Sequence, residues 1–348
     1  IINFGIVPAV GARFFIHFIG LPDTLHLGPA AVDAFPLVMA VLLLTSLFFV
    51  FSGGQVAVII TDFVQGIFVN IVFLTIVVFL LATVSWDQIF TALGPAPPDA
   101  SLIKPFHTSQ LRDFNYWYYL IGTIGVVYVV MSWQGTQGYN ASAKSAHEAK
   151  MGGVLSNWRG LPHIMFMLIV PIVAYTVLHH PDFGAESAQV AGLLATAESE
   201  TIANQLRVPA VLSLLLPTGL LGAFAAVMLT AFISTHDTYL HSWGSIFIQD
   251  VVMPFRKKPF TPEAHMRALR LSILGVALFI FLFSLLFRQS QYIFLFFAIT
   301  GAIFAGGSGA VLIGGLYWNR GTTPAAWAAM LTGSTIAVSG NVIHQLVD

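Results

Sequence analysis

Apolar residues run along the chain in long stretches broken by short polar ones, and the stretches fall near 35–52, 56–84, 116–136, 162–178, 209–236, 271–287, 291–317 and 324–345. Each is close to the ~20 residues a helix needs to cross a bilayer. Residues 1–19 read as the end of one more helix whose beginning lies outside the chain. The pattern predicts one transmembrane domain over 1–348, with about eight complete spans and one partial N-terminal helix. When loops are counted alternately, one side carries Lys144, Lys150, Arg159, Arg256, Lys257, Lys258, Arg267, Arg270 and Arg320, and the other only Lys104, Arg112, Arg207 and Arg288. Cytoplasmic loops collect the basic residues, so the first side is cytoplasmic. The long loops 85–115 and 181–207 then face outward as candidate lids, the second holding the helix-like run AESAQVAGLLATAESE.

Composition sharpens this picture. Charged residues are 8% and hydrophobic ones 57%, with a mean hydropathy of +0.84, whereas soluble domains carry about 25% charge. The chain is an all-α polytopic protein whose surroundings are the lipid bilayer of a cell membrane, plasma or bacterial inner. A net charge of −1 gives no electrostatic case for nucleic acid. The absence of cysteine excludes disulfides and Cys nucleophiles. No nucleophile–base pair or metal cluster stands out, so no enzyme activity is expected. The opening Ile-Ile-Asn, without Met, reads as a chain that is N-terminally incomplete.

Polar residues inside the apolar stretches are the candidates for function. From Pro217 to Asp250 small residues recur at Gly222, Ala226, Thr230, Ser234, Thr238 and Ser242, a ridge that lets another helix approach. Ala231, Ser234, Thr235 and Thr238 are spaced three and four apart, so oxygen donors gather on one face, a setting suited to a hard monovalent cation. The alternative is that each hydroxyl bonds back to its own helix. Asp62 lies about two turns inside the stretch that opens at Ser52-Gly53-Gly54-Gln55. A carboxylate within a span is by default a functional group; the alternative is an acid wetted at the interface. Gln134 and Gln137 stand near the cytoplasmic end of the 116–136 stretch, suited either to orienting a polar solute or to packing helices. Seven glycines between Ile299 and Thr322 suit tight packing or a hinge. His179-His180 reads as a solvated helix end, and His236 and His241, five apart, read as interfacial.

The run AFISTHDTYLHSWGSIFIQDVV resembles the eighth core helix of the sodium:solute symporter family, with Ala231, Ser234, Thr235, Asp237, Thr238, Leu240 and Asp250 at the motif positions. GGQVAVIITDFVQ resembles the fifth, through Gly53, Gly54, Ala57, Val58, Thr61, Asp62 and Gln65. A weaker match runs through Gln134, Ala143, Lys144, Ala149 and Lys150, with Trp133 in place of an Asn and Gly138 in place of an Arg, which leaves the solute class open. The glycine-rich stretch is similar to the tenth core helix and the one after it.

The resemblance implies a five-plus-five inverted-repeat (LeuT-like) transporter fold, here without its first two core helices. It implies sodium-coupled symport of a small organic solute by alternating access. It implies sodium (Na+) on Ala231, Ser234 and Thr235, and a second cation or an ion exit at Asp62, Asp237 and Thr238, because two carboxylates in a low-dielectric site require a cation or a proton. Trp133, Gln134 and Gln137 are placed at the solute. The rival reading is a non-transporting membrane sensor or interaction module on the same fold. Oligomeric state is not legible.

Overall fold

The computed structural model describes residues 2–111, 114–129, 132, 137–197, 199–287 and 292–347. The helices are α1 Val7–Ile19, α2 Ala34–Thr83, α3 Trp86–Leu93, α4 Tyr116–Val129, α5 Gln137–Ala141, α6 Ala146–Arg159, α7 Leu161–His179, α8 Gly184–Leu194, α9 Glu200–Leu215, α10 Thr218–Ile246, α11 Pro262–Leu286, α12 Ile293–Tyr317 and α13 Thr323–Val347. Between α1 and α2 the strands β1 (Thr24–Leu27) and β2 (Ala30–Asp33) form an antiparallel hairpin with Thr24 opposite Asp33. The hydrophobic pattern gave no hint of this hairpin. Among the described residues five helical stretches are long and apolar enough to cross a membrane: Ala34–Thr83, Ala146–His179, Thr218–Phe255, Pro262–Leu286 and Ile293–Tyr317. α1 and α4 are shorter apolar helices.

Asp33 starts α2 by accepting the Phe35 N–H at 2.9 Å. Fifty helical residues would reach about 75 Å, far more than a bilayer's apolar core. Gly54 divides them. Its φ of 56° and ψ of −145° belong to a region open essentially to glycine alone. A Cβ there would meet nothing within 4 Å, so conformation and not space demands the glycine. The apolar stretches 35–52 and 56–84 are thus two arms joined at this turn.

The expected span 209–236 is corrected. Pro217 keeps Leu216 out of the helical region, at ψ 133°, so α9 ends at Leu215 and α10 begins at Thr218. α9 starts instead at the Ser199 cap, so the outward loop 181–207 contains α8 and the front of α9. A cavity of about 310 Å³ opens between these helices and the end of α1, with His17, Asp23, Thr196 and Ser213 among its lining residues.

The chain forms two compact units. The first contains residues 1–92 and 135–289, and in it α2 packs on α10, α1, α7 and α11. Its core joins both arms of α2 to α10 and α11 through Leu43, Leu47, Val50, Val58, Leu240, Ile273 and Ile280. Large side chains on the far face of α2, such as Phe48, Val56, Ile60, Phe63 and Val64, are exposed in the way a lipid-facing surface requires. The second unit contains residues 93–134 and 290–348, where α12 packs on α13 and on α4.

Candidate functional site

The arm of α2 after Gly54 buries one stripe through Val58, Val69, Val72, Ile76 and Leu80, with steps of eleven, three, four and four residues that keep them on one helical face. Asp62 and Gln65 are half-buried on that same stripe, so the acid faces the protein rather than lipid. α10 presents to it the lower end of the small-residue ridge. Ser234 Oγ donates to Asp62 Oδ1 at 2.6 Å, and Thr238 Oγ1 donates to Asp62 Oδ2 at 3.2 Å. Ser234 and Thr238 are one turn apart, which is why two hydroxyls of one helix can grip both oxygens of one carboxylate.

Asp237 stands beside this grip with 0% exposure. Its Oδ1 lies 3.5 Å from Thr238 Oγ1, and its Oδ2 is buried with no hydrogen-bond partner among the described residues. Gln65 Oε1 is likewise buried and unpartnered. An orphan carboxylate oxygen inside a protein carries the full cost of lost hydration unless a cation or a proton meets it. The Tyr139 hydroxyl, on α5, is buried beside Thr238 and Ser242 and near Asp237. Gln55 Nε2, just past the Gly54 turn, holds α5 by donating to the Gly138 carbonyl at 2.9 Å. The cluster therefore offers hard oxygen donors from α2, α10 and α5, the ligand class that suits sodium.

Thr235 Oγ1 donates to the Ala231 carbonyl at 2.8 Å, back onto its own helix. Ser234 joins the acid cluster, so the hydroxyls of the two adjacent residues face different partners. Trp133 and Gln134 lie outside the described residues, and of Gln137 only the backbone, which begins α5, is described. His236 is corrected: with 2% exposure it is a core residue, stacked on Phe232 at 3.8 Å, its Nδ1 2.9 Å from the Phe232 carbonyl. A ring that covers an apolar neighbour and bonds its own backbone is satisfied in the interior, which its five-residue separation from His241 could not reveal. His241 is half-buried, edge-on to Tyr139. Tyr139 was not recognisable from sequence, because α5 is only five residues long and carries no periodicity.

A helical, apolar-surfaced scaffold with a buried acid–hydroxyl cluster between two of its helices suits a membrane protein that handles an ion, and comparison with known proteins gives its family. The chain matches the sodium:solute symporter family over residues 31–333 and belongs to it. It is a multi-pass membrane protein of a family of transporters rather than enzymes. It is similar to a sodium/mannose cotransporter of Bos taurus, 23% identical over 330 residues, covering 90% of this chain and 54% of that protein. It is also similar to a sodium/pantothenate symporter of Haemophilus influenzae, 24% identical over 290 residues, covering 82% of this chain and 54% of that protein. The chain thus spans about half the length of the curated relatives it matches. A solved structure of a Na+-coupled sialic acid symporter, substrate-bound and outward-open, matches with a TM-score of 0.68 at 18% identity, covering 100% of this chain and 72% of that one. That likeness shows the expected LeuT-like transporter fold.

Proposed function

We propose that the protein couples the downhill entry of sodium to uptake of a small organic solute by alternating access. The observation that carries this reading is the grip of Ser234 and Thr238 on Asp62, next to the unpartnered Asp237 oxygen, inside a membrane helix pair. One sodium ion is assigned to Ser234, Thr235 and the Ala231 carbonyl, holding the outward-open state. A second cation is assigned to Asp62, Asp237 and Thr238, on the way to the cytoplasm. Trp133, Gln134 and Gln137 are assigned to the solute. By linkage, sodium raises solute affinity only as much as solute raises sodium affinity.

Uptake by the full-length protein in proteoliposomes tests this, with labelled mannose, pantothenate and sialic acid, the solutes named for its relatives. Ser234→Ala with Thr235→Ala is expected to raise the sodium requirement roughly five- to hundredfold, the effect of losing ~1–3 kcal/mol at a buried polar site. Asp62→Asn should lower the sodium Hill coefficient. Gln134→Ala should raise the half-saturating solute concentration more than that of sodium. Unchanged sodium dependence in the double variant would reject the first assignment, and equal effects on both ligands would leave Gln134 a packing amide.

A further inference from the structure

Arg159 ends α6, one residue before the Gly160 joint with α7. Its charged tip lies on the backbone of α2: a Cβ on Gly66 would stand 2.9 Å from Arg159 Nη1 and 3.1 Å from its Cζ. Gly66 follows Asp62 by four residues, so the guanidinium rests roughly one helical turn, about 6 Å, from the carboxylate. The two charges act on each other at that range without closing a salt bridge. A lysine or arginine that only marks the cytoplasmic side extends toward the headgroups. Arg159, although exposed, instead lays its tip against α2 at Gly66, one turn beyond Asp62 as counted from the Gly54 turn. Gly66 supplies the seat, since any side chain there would occupy the space the guanidinium takes.

Charge arithmetic gives the arrangement a meaning. With both acids ionised, Asp62 and Asp237 contribute two negative charges and Arg159 one positive, which leaves one net negative charge in the cluster. A single sodium ion neutralises it. Without Arg159 the same two carboxylates would call for two cations.

Resting on the sodium-coupled reading above, we infer that Arg159 is a tethered counter-charge of the acid site. From its seat on Gly66 the guanidinium acts on Asp62 through space, one helical turn away. Sodium and Arg159 then compete for one carboxylate, which sets sodium affinity low enough for release and keeps the emptied site from carrying two bare acids back across the membrane.

Binding of 22Na+ alone to the full-length protein in detergent tests this without knowledge of the solute. Arg159→Gln is expected to bind sodium between about three- and hundredfold more tightly, the range set by removing a unit charge at about 6 Å in a medium between protein surface and water. Arg159→Lys, which keeps the charge, should remain close to the wild type. Gly66→Val, which evicts the guanidinium, should alter sodium affinity in the wild type but not in the Arg159→Gln background, and this non-additivity separates a charge effect from a packing effect. Asp62→Asn is the control on the underlying site. If it leaves sodium binding untouched, the acid site itself is wrong. If it weakens binding while Arg159→Gln leaves affinity unchanged or lower, the counter-charge alone is overturned.

Discussion

The contact between α2 and α10 in the first unit and the contact between α12 and α13 in the second solve the same problem in opposite ways. α2 and α10 meet through side chains, an acid gripped by two hydroxyls within a frame of Val58, Leu240 and Ile273. α12 and α13 meet backbone to backbone. A Cβ on Gly307 would stand 2.5 Å from Met330 Cα, and one on Gly333 would fall onto the backbone of Gly306 and Gly307. Without water to drive association, helices in a membrane are held by close packing and by interhelical hydrogen bonds, and each unit relies on one of these. The difference teaches that one helix pair can be joined by polar side chains that bond across it and another by glycines that let the two backbones touch.

One residue mixes the two devices. The Tyr128 hydroxyl donates to the Gly306 carbonyl at 3.1 Å and accepts from the Ala310 N–H at 2.8 Å. These are the two groups that a regular helix joins to each other, so α4 inserts a side chain into the ladder of α12 at its glycine-rich stretch, where helices bend.

The comparison can be broken first at Gly333. Gly333→Val drives side-chain atoms into backbone that no rotamer relieves, and more than about 4 kcal/mol of destabilisation is expected. Full-length protein should be lost from the monodisperse fraction after extraction; a normal yield and melting temperature would mean that the glycine contact does not set the helix spacing. Tyr128→Phe comes next. It leaves the opened ladder of α12 without its bridging hydroxyl, at a cost of about 1–3 kcal/mol. Thermal unfolding should move down by several degrees, and an unmoved transition would show that α12 closes its own hydrogen bond. A pair of alanine substitutions in the first unit gives the smallest effects. Gly54→Ala forces a Cβ into positive φ and should cost about 1–2 kcal/mol although nothing crowds it. Gly222→Ala meets neither crowding nor unusual backbone and should be neutral or stabilising by up to about 1 kcal/mol. Equal losses at both positions would contradict the separation of conformational from spatial demands on glycine.

Gly222 also marks how far periodicity reached. The ridge from Gly222 to Ser242 was legible as spacing, but a Cβ at Gly222 meets nothing within 4 Å, while Phe224 and Val227 beside it are buried. The close approach occurs lower, at Ser234, and again at Gly244, where a Cβ would strike Ile273. A helical repeat tells which residues share a face, not which stretch of that face a neighbour covers.

What the sequence by itself determined was whatever a helix and a bilayer impose locally. The apolar stretches, the turn around Gly54, the place of Asp62 two turns inside its span and the hydroxyl spacing on α10 all follow from lengths and periods. The tertiary structure alone decided which hydroxyls meet Asp62 and which, like Thr235, turn back to their own helix. It alone left an Asp237 oxygen unpartnered, buried His236 against Phe232, and laid Arg159 across Gly66, though 93 residues separate that arginine from its seat. The reason is physical: spacing fixes direction around one helix axis, whereas a partner depends on where a second axis passes, and that is set by packing along the whole length of both helices.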